Sequence, residues 1–158
     1  MRKRITNENT QVKLTELSES WLDLEQCAQV ELTSEDSAHP IEAALTINGG
    51  SGWRADTPGK QSIRLLFDSP QNITRIYLLF EEREQARTQE FVLRWSPDDL
   101  ESGHEIVRQQ YNFSPSGNNR ELEDYRVRLD GLVMLELSII PDISGGESRA
   151  SLAQLRLA

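Results

Sequence analysis

The chain carries one cysteine in 158 residues, two histidines, three lysines among 17 basic residues, and only short apolar runs. Each shortage excludes something. The single Cys27 cannot close an intrachain disulfide, which fits a reducing compartment. It stands in Leu24-Glu25-Gln26-Cys27-Ala28-Gln29-Val30, with no base or glycine turn beside it, so it reads as an inert, partly buried thiol. His39 and His104 have no serine or cysteine partner in a nucleophile turn, and with one cysteine they make no zinc set. The acidic groups Glu81-Glu82, Asp98-Asp99 and Glu121 to Asp124 read as solvated loop charges rather than a glycosidase pair, and no enzymatic activity is expected. No segment is apolar enough to span a bilayer. The basic start Met1-Arg2-Lys3-Arg4 leads into the mostly polar stretch from Ile5 to Gln11, not a signal-peptide core, so a cytoplasmic location is the default expectation.

What is present is acid and arginine. A formal net charge of -9 argues against nucleic acid as a partner, because phosphate binding is dominated by cations. Lysine appears only at Lys3, Lys13 and Lys60; the other basic residues are arginines, whose planar forks suit carboxylates and sugar hydroxyls.

Residues 1–27 are polar and weakly patterned, and read as an extension or an edge element, either strand or helical turn. Gln29 to Thr33 alternates like a half-buried strand. A long irregular stretch from Ser34 to Lys60 follows, holding Pro40, Pro58 and a cluster of glycines, with one helical turn expected at Ile41 to Leu45. Loops of that length are usually functional. Beyond it period-two alternation persists: Ile63, Leu65 and Phe67; Ile76, Leu78 and Phe80; Phe91, Leu93 and Trp95; Tyr125, Val127 and Leu129; Val133, Leu135, Leu137 and Ile139; Leu155 and Leu157. Ser69-Pro70-Gln71-Asn72 reads as a turn and Asp130-Gly131 as a hairpin signal. Short strands with regular turn signals predict an all-β antiparallel sandwich of about eight strands over residues 28–158.

Gly49-Gly50-Ser51-Gly52-Trp53-Arg54-Ala55, then Gly59 to Pro70 with its Asp68-Ser69-Pro70 turn, then Ile73-Thr74-Arg75-Ile76, resembles the discoidin or F5/8 type C group of galactose-binding-like domains. Leu135 to Ile139 and Leu152 to Leu157 are similar to that family's last two strands. The resemblance implies a jelly-roll sandwich whose loops at one end hold a ligand: a sugar, a phospholipid surface or another protein. It also implies a structural calcium near the loop before the tryptophan, held by an aspartate, loop carbonyls and a last-strand glutamate. Asn48 and Gln154 stand at those two side-chain positions here, without charge, so a tight calcium site is not expected.

The residues expected to touch a ligand are Trp53 and Arg54 in the long loop, Arg83 and Arg87 in the polar turn Glu81 to Gln89, and Tyr111 and Asn112 at a strand end. Trp53 has a structural alternative, as a plug at the end of the sandwich. Arg83 and Arg87 have theirs in ion pairs with Glu81, Glu82 and Glu84. The expected partner is a carbohydrate; the alternative is an adaptor gripping another protein, with a homodimer as a further possibility. The glycosylation-type matches Asn72-Ile73-Thr74 and Asn112-Phe113-Ser114 read as accidental.

Overall fold

The computed structural model describes residues 21–47, 50–98 and 103–158. Where apolar side chains alternate, the chain is strand, and eight strands follow in order: β1 (Ala28–Leu32), β2 (Trp53–Arg54), β3 (Gln61–Glu81), β4 (Arg87–Ser96), β5 (His104–Phe113), β6 (Arg120–Ile140), β7 (Ser151–Leu152) and β8 (Gln154–Leu157). Among the described residues two single-turn helices join them, α1 (Leu24–Cys27) before β1 and α2 (Glu42–Leu45) where one turn is expected. No helix among the described residues is long and apolar enough to cross a membrane.

All strand pairs are antiparallel, in the order β1-β3-β6-β4-β5, with β8 also on β3 and a separate β2-β7 pair. The first half of β3 pairs with β1 and with the second half of β6. Its second half pairs with β8 and with the first half of β6. Each long strand therefore serves two layers. The apolar faces of both layers meet in one core that holds Ile63, Leu65, Ile76, Leu78, Phe80, Phe91, Leu93, Leu135, Leu137, Ile139, Leu155 and Leu157. Leu135, Leu137 and Ile139 alone contribute about 5–9 kcal/mol of burial. This is the expected all-β sandwich.

Two expected turns are bulges instead. From Leu66 to Gln71 β3 advances five residues while its partner advances two, from Met134 to Leu132, so Ser69-Pro70 bulges out of a continuous strand. Asp130-Gly131 lies inside β6, where Gly131 takes φ 74° and donates its amide to Asn72 Oδ1 at 2.9 Å. A hairpin would return the chain beside itself; the facing bulges bend two paired strands from one layer into the other.

Residues before 28 pack on the sandwich. Leu24 is buried in the core, Leu22 donates its amide to the Leu157 carbonyl, and the Trp21 ring packs on Tyr77 under the Arg75 guanidinium. Cys27 is half-buried, and burial foremost, with Asp23 and Asp68, raises its thiol, as suits an inert group.

The solvated reading of Glu121 to Asp124 fails at its first residue, because this stretch is strand β6 and its alternation turns Glu121 inward. Glu121 on β6 is 2% exposed and accepts from Gln89 Nε2 of β4 at 3.1 Å. Burial first, then neighbouring Glu123, pushes its pKa up to about 8, against the Gln89 bond and the Arg87 charge. Burial likewise raises the Tyr125 hydroxyl nearby.

Candidate functional site

At one end of the sandwich a groove of about 340 Å³ opens between three segments far apart in sequence. Gly50, Ser51, Trp53 and Arg54, with His39, form one wall; the turn Glu81 to Glu84 forms another; Arg149 and Ser151 to Gln154 close it. Its size and polar character suit a small ligand.

The first wall is held by backbone bonds on both sides. β2 pairs with β7, and Ala55 donates to the Ala150 carbonyl at 2.9 Å. On the other side Arg54 donates to the His39 carbonyl at 3.1 Å, and Asp36 donates to the Arg54 carbonyl at 2.9 Å. Gly52 enters this wall at φ 84°, where an added Cβ would lie 2.5 Å from the Leu152 carbonyl oxygen and 2.8 Å from Ala153 Cα. Only glycine fits so close to β7.

The Trp53 ring is 1% exposed and donates its indole N–H to the Ser34 carbonyl at 3.1 Å. It plugs the sandwich end and offers no open face for stacking. Arg54, next in the chain, is partly exposed on the groove. Neither Arg54 nor Arg149 forms an ion pair with a described residue. His39 Nδ1 lies 3.6 Å from Asp36 Oδ2, beyond hydrogen-bond reach. The Asp36 carboxyl is held below its usual range, chiefly by the Ala38 amide, then by His39 and Arg149.

The second wall divides its arginines. Arg83 pairs with Glu81 at 2.7 Å on a side chain 73% exposed, so it is free to move toward a ligand. Arg87 is not available. Its side chain is fully buried, with Nε on Glu82 at 2.6 Å, Nη1 on the Pro141 carbonyl at 2.8 Å, and its guanidinium over the Phe113 ring. Burial opposes the Glu82 charge, but the Arg87 bond, two backbone amides and the Arg87 charge together hold that carboxyl low. Arg87 thus shapes the turn that carries Arg83 and does not reach the groove.

The structure does not bring Tyr111 and Asn112 to the groove either. Both lie on β5, the sheet edge beyond β4, where the Tyr111 hydroxyl donates to the Arg120 carbonyl and Asn112 accepts from Thr88. Gln154 does line the groove, and Asn48 lies outside the described residues. Of the expected ligand-touching residues, Trp53, Arg54 and Arg83 converge. Two groove residues carry no sequence signal for binding: Arg149 is a lone arginine after Gly145-Gly146, and His39 reads only as a candidate catalytic or zinc-binding group.

No protein-family model and no curated protein matches the chain. Solved structures do. A family 32 carbohydrate-binding module from a family 31 glycoside hydrolase of Clostridium perfringens is 19% identical, with TM-score 0.63, covering 89% of this chain and 95% of its own. The family 32 module of C. perfringens NanJ, solved with galactose, is 15% identical, with TM-score 0.56, over 87% and 96%. That of AlyQ, in complex with 4,5-unsaturated mannuronic acid, is 17% identical, with TM-score 0.60, over 84% and 95%. At these identities the likeness is one of fold: the chain has the galactose-binding-like β-sandwich of family 32 carbohydrate-binding modules.

Proposed function

We propose that this chain is a non-catalytic carbohydrate-binding module whose end groove takes a sugar bearing a carboxylate. One observation carries the reading: the groove holds two guanidinium groups, Arg54 and Arg149, that no described carboxylate neutralises by an ion pair. Glu81 and Glu82 are engaged by Arg83 and Arg87, which leaves Glu84 as the only lining glutamate outside an ion pair among the described residues. With the Trp53 ring buried, no aromatic face stands open in the groove among the described residues, so a neutral ring lacks its usual stacking partner. Charge-assisted bonds from arginine forks to a carboxylate then supply the affinity. Structural neighbours solved with galactose and with an unsaturated mannuronic acid support binding at this kind of fold.

An adaptor function has less support. Ile47, Leu122 and Ile143 are the large apolar side chains exposed among the described residues, one each on a loop, a strand and another loop, not a broad apolar face.

The test is a glycan array containing neutral and uronate sugars. Selective, salt-sensitive binding to the acidic ones is expected. Arg54→Ala and Arg149→Ala each then weaken the best hit about tenfold or more, with little change in melting temperature, because each removes charge-assisted bonds worth about 1.5–3 kcal/mol. Equal binding to neutral analogues removes the carboxylate claim; a blank array removes the sugar reading in favour of a protein partner.

A further inference from the structure

Arg156 sits on β8 between the core residues Leu155 and Leu157, so period two turns it to the outer face of the strand. It is nevertheless only 6% exposed. α2 and the residues after it cover that face, and the guanidinium is spent on backbone carbonyls. Nη1 donates to Ala44 at 3.0 Å and to Leu155 at 3.1 Å; Nη2 donates to Thr46 at 2.8 Å and to Ile47 at 3.4 Å. No described carboxylate pairs with it. Burial lowers its pKa, yet a guanidinium keeps its charge at any physiological pH.

A buried cation that binds three carbonyls of one segment, those of Ala44, Thr46 and Ile47, is a clamp on that segment. The clamped chain ends at Ile47, three residues before Gly50, where the groove's first wall begins. The resemblance in sequence implies a calcium ion held by carbonyls before the tryptophan. Here the carbonyls of Ala44, Thr46 and Ile47 already accept from a fixed charge, and a divalent ion set among them would face that guanidinium. These three carbonyls do not fit the metal.

We propose that Arg156 is the positioning residue of the groove's loop wall, a built-in cation that fastens residues 44–47 and makes a structural calcium unnecessary. The clamp stands on its own geometry; only its effect on ligand affinity rests on the carbohydrate reading.

Three measurements test it. First, the melting temperature of the native chain is compared in calcium and in chelator, and no shift is expected; a rise of several degrees in calcium overturns the proposal. Second, amide hydrogen exchange is compared between the native chain and Arg156→Gln. The Ala44, Leu45 and Thr46 amides, which bond to Ile41 and Glu42 carbonyls, are expected to exchange about tenfold faster, while β4 and β5 stay unchanged. Unchanged exchange in the loop, or equal acceleration throughout the sheet, overturns the proposal. Third, the sugar selected on the array is titrated against both proteins well below their melting temperatures. A loss of about tenfold for Arg156→Gln, partly restored in Arg156→Lys and not by calcium, is expected; unaltered affinity overturns the positioning role. Should Arg156→Gln fail to fold, Arg156→Lys is read in the same exchange experiment, with a smaller acceleration confined to the same amides. Should no sugar bind the native chain, the carbohydrate reading falls while melting and exchange still judge the clamp.

Discussion

Replacing Glu121 by glutamine makes the fold more stable at high pH and leaves it nearly unchanged at low pH. The folded chain holds this carboxyl protonated up to about pH 8, whereas the reference value for an exposed glutamate is 4.5. Between those values the folded state binds a proton that the unfolded state has released. Stability therefore falls as pH rises through that window and levels off above it. At about 1.4 kcal/mol per unit the full shift corresponds to an upper limit near 5 kcal/mol. Local hydration and an effective interior dielectric well above that of dry protein reduce this, and about 2 kcal/mol is the working figure. For a domain of this size that is about 4–8 °C in melting temperature. Glutamine copies the neutral acid and keeps an acceptor for Gln89 Nε2. The groups facing position 121 are Glu123 and Tyr125 on β6 and Arg87 and Gln89 on β4, all present in both proteins. Subtracting the two melting curves at each pH from 5 to 9 isolates the single carboxyl. A difference that grows from near zero at pH 5 to several degrees at pH 9 is expected. A difference independent of pH would show that Glu121 is ionised in the fold and refute the reasoning.

Two further substitutions examine the supports of the groove. Gly52→Ala places a methyl against the Leu152 carbonyl and Ala153 Cα at a positive φ; a loss of about 2–4 kcal/mol is expected in denaturant melts, with red-shifted tryptophan emission as β2 parts from β7. Unchanged stability would mean that β7 yields easily. Arg87→Met strips Glu82 of its buried cation and should cost about 3–5 kcal/mol, whereas Arg83→Ala, on a side chain 73% exposed, should cost less than about 1 kcal/mol. Similar losses from the two would contradict the division of labour drawn between them.

The contrast between Arg83 and Arg87 shows where sequence reading stops. The two stand four residues apart in one polar stretch, Glu81 to Gln89, with the same side chain and the same glutamates within reach. What separates them is the Pro141 carbonyl and the Phe113 ring, partners 54 and 26 residues further along, which no local pattern announces. The turn signals failed for a related reason. Ser69-Pro70 and Asp130-Gly131 supply an amide-free position and a residue that tolerates positive φ, and a bulge uses both as readily as a hairpin does. Only the pairing of β3 with β6 decides between them. The alternation itself was legible, because burial on one face of a strand must repeat every second residue wherever the strand lies.

The same rule explains why Arg156 was legible in direction and not in meaning. Alternation between Leu155 and Leu157 correctly turns it away from the core. An outward side chain reads as a solvated one, and here that step fails, because α2, with Ala44 112 residues earlier, lies across the outer face of β8. Arginine is suited to such a place: five donors in one plane satisfy several carbonyls at once, and its charge resists burial more firmly than a lysine's. A calcium ion performs the same task only while the surroundings supply it. A guanidinium in the chain performs it wherever the chain folds, so the groove wall inherits its shape from the last strand rather than from the solvent.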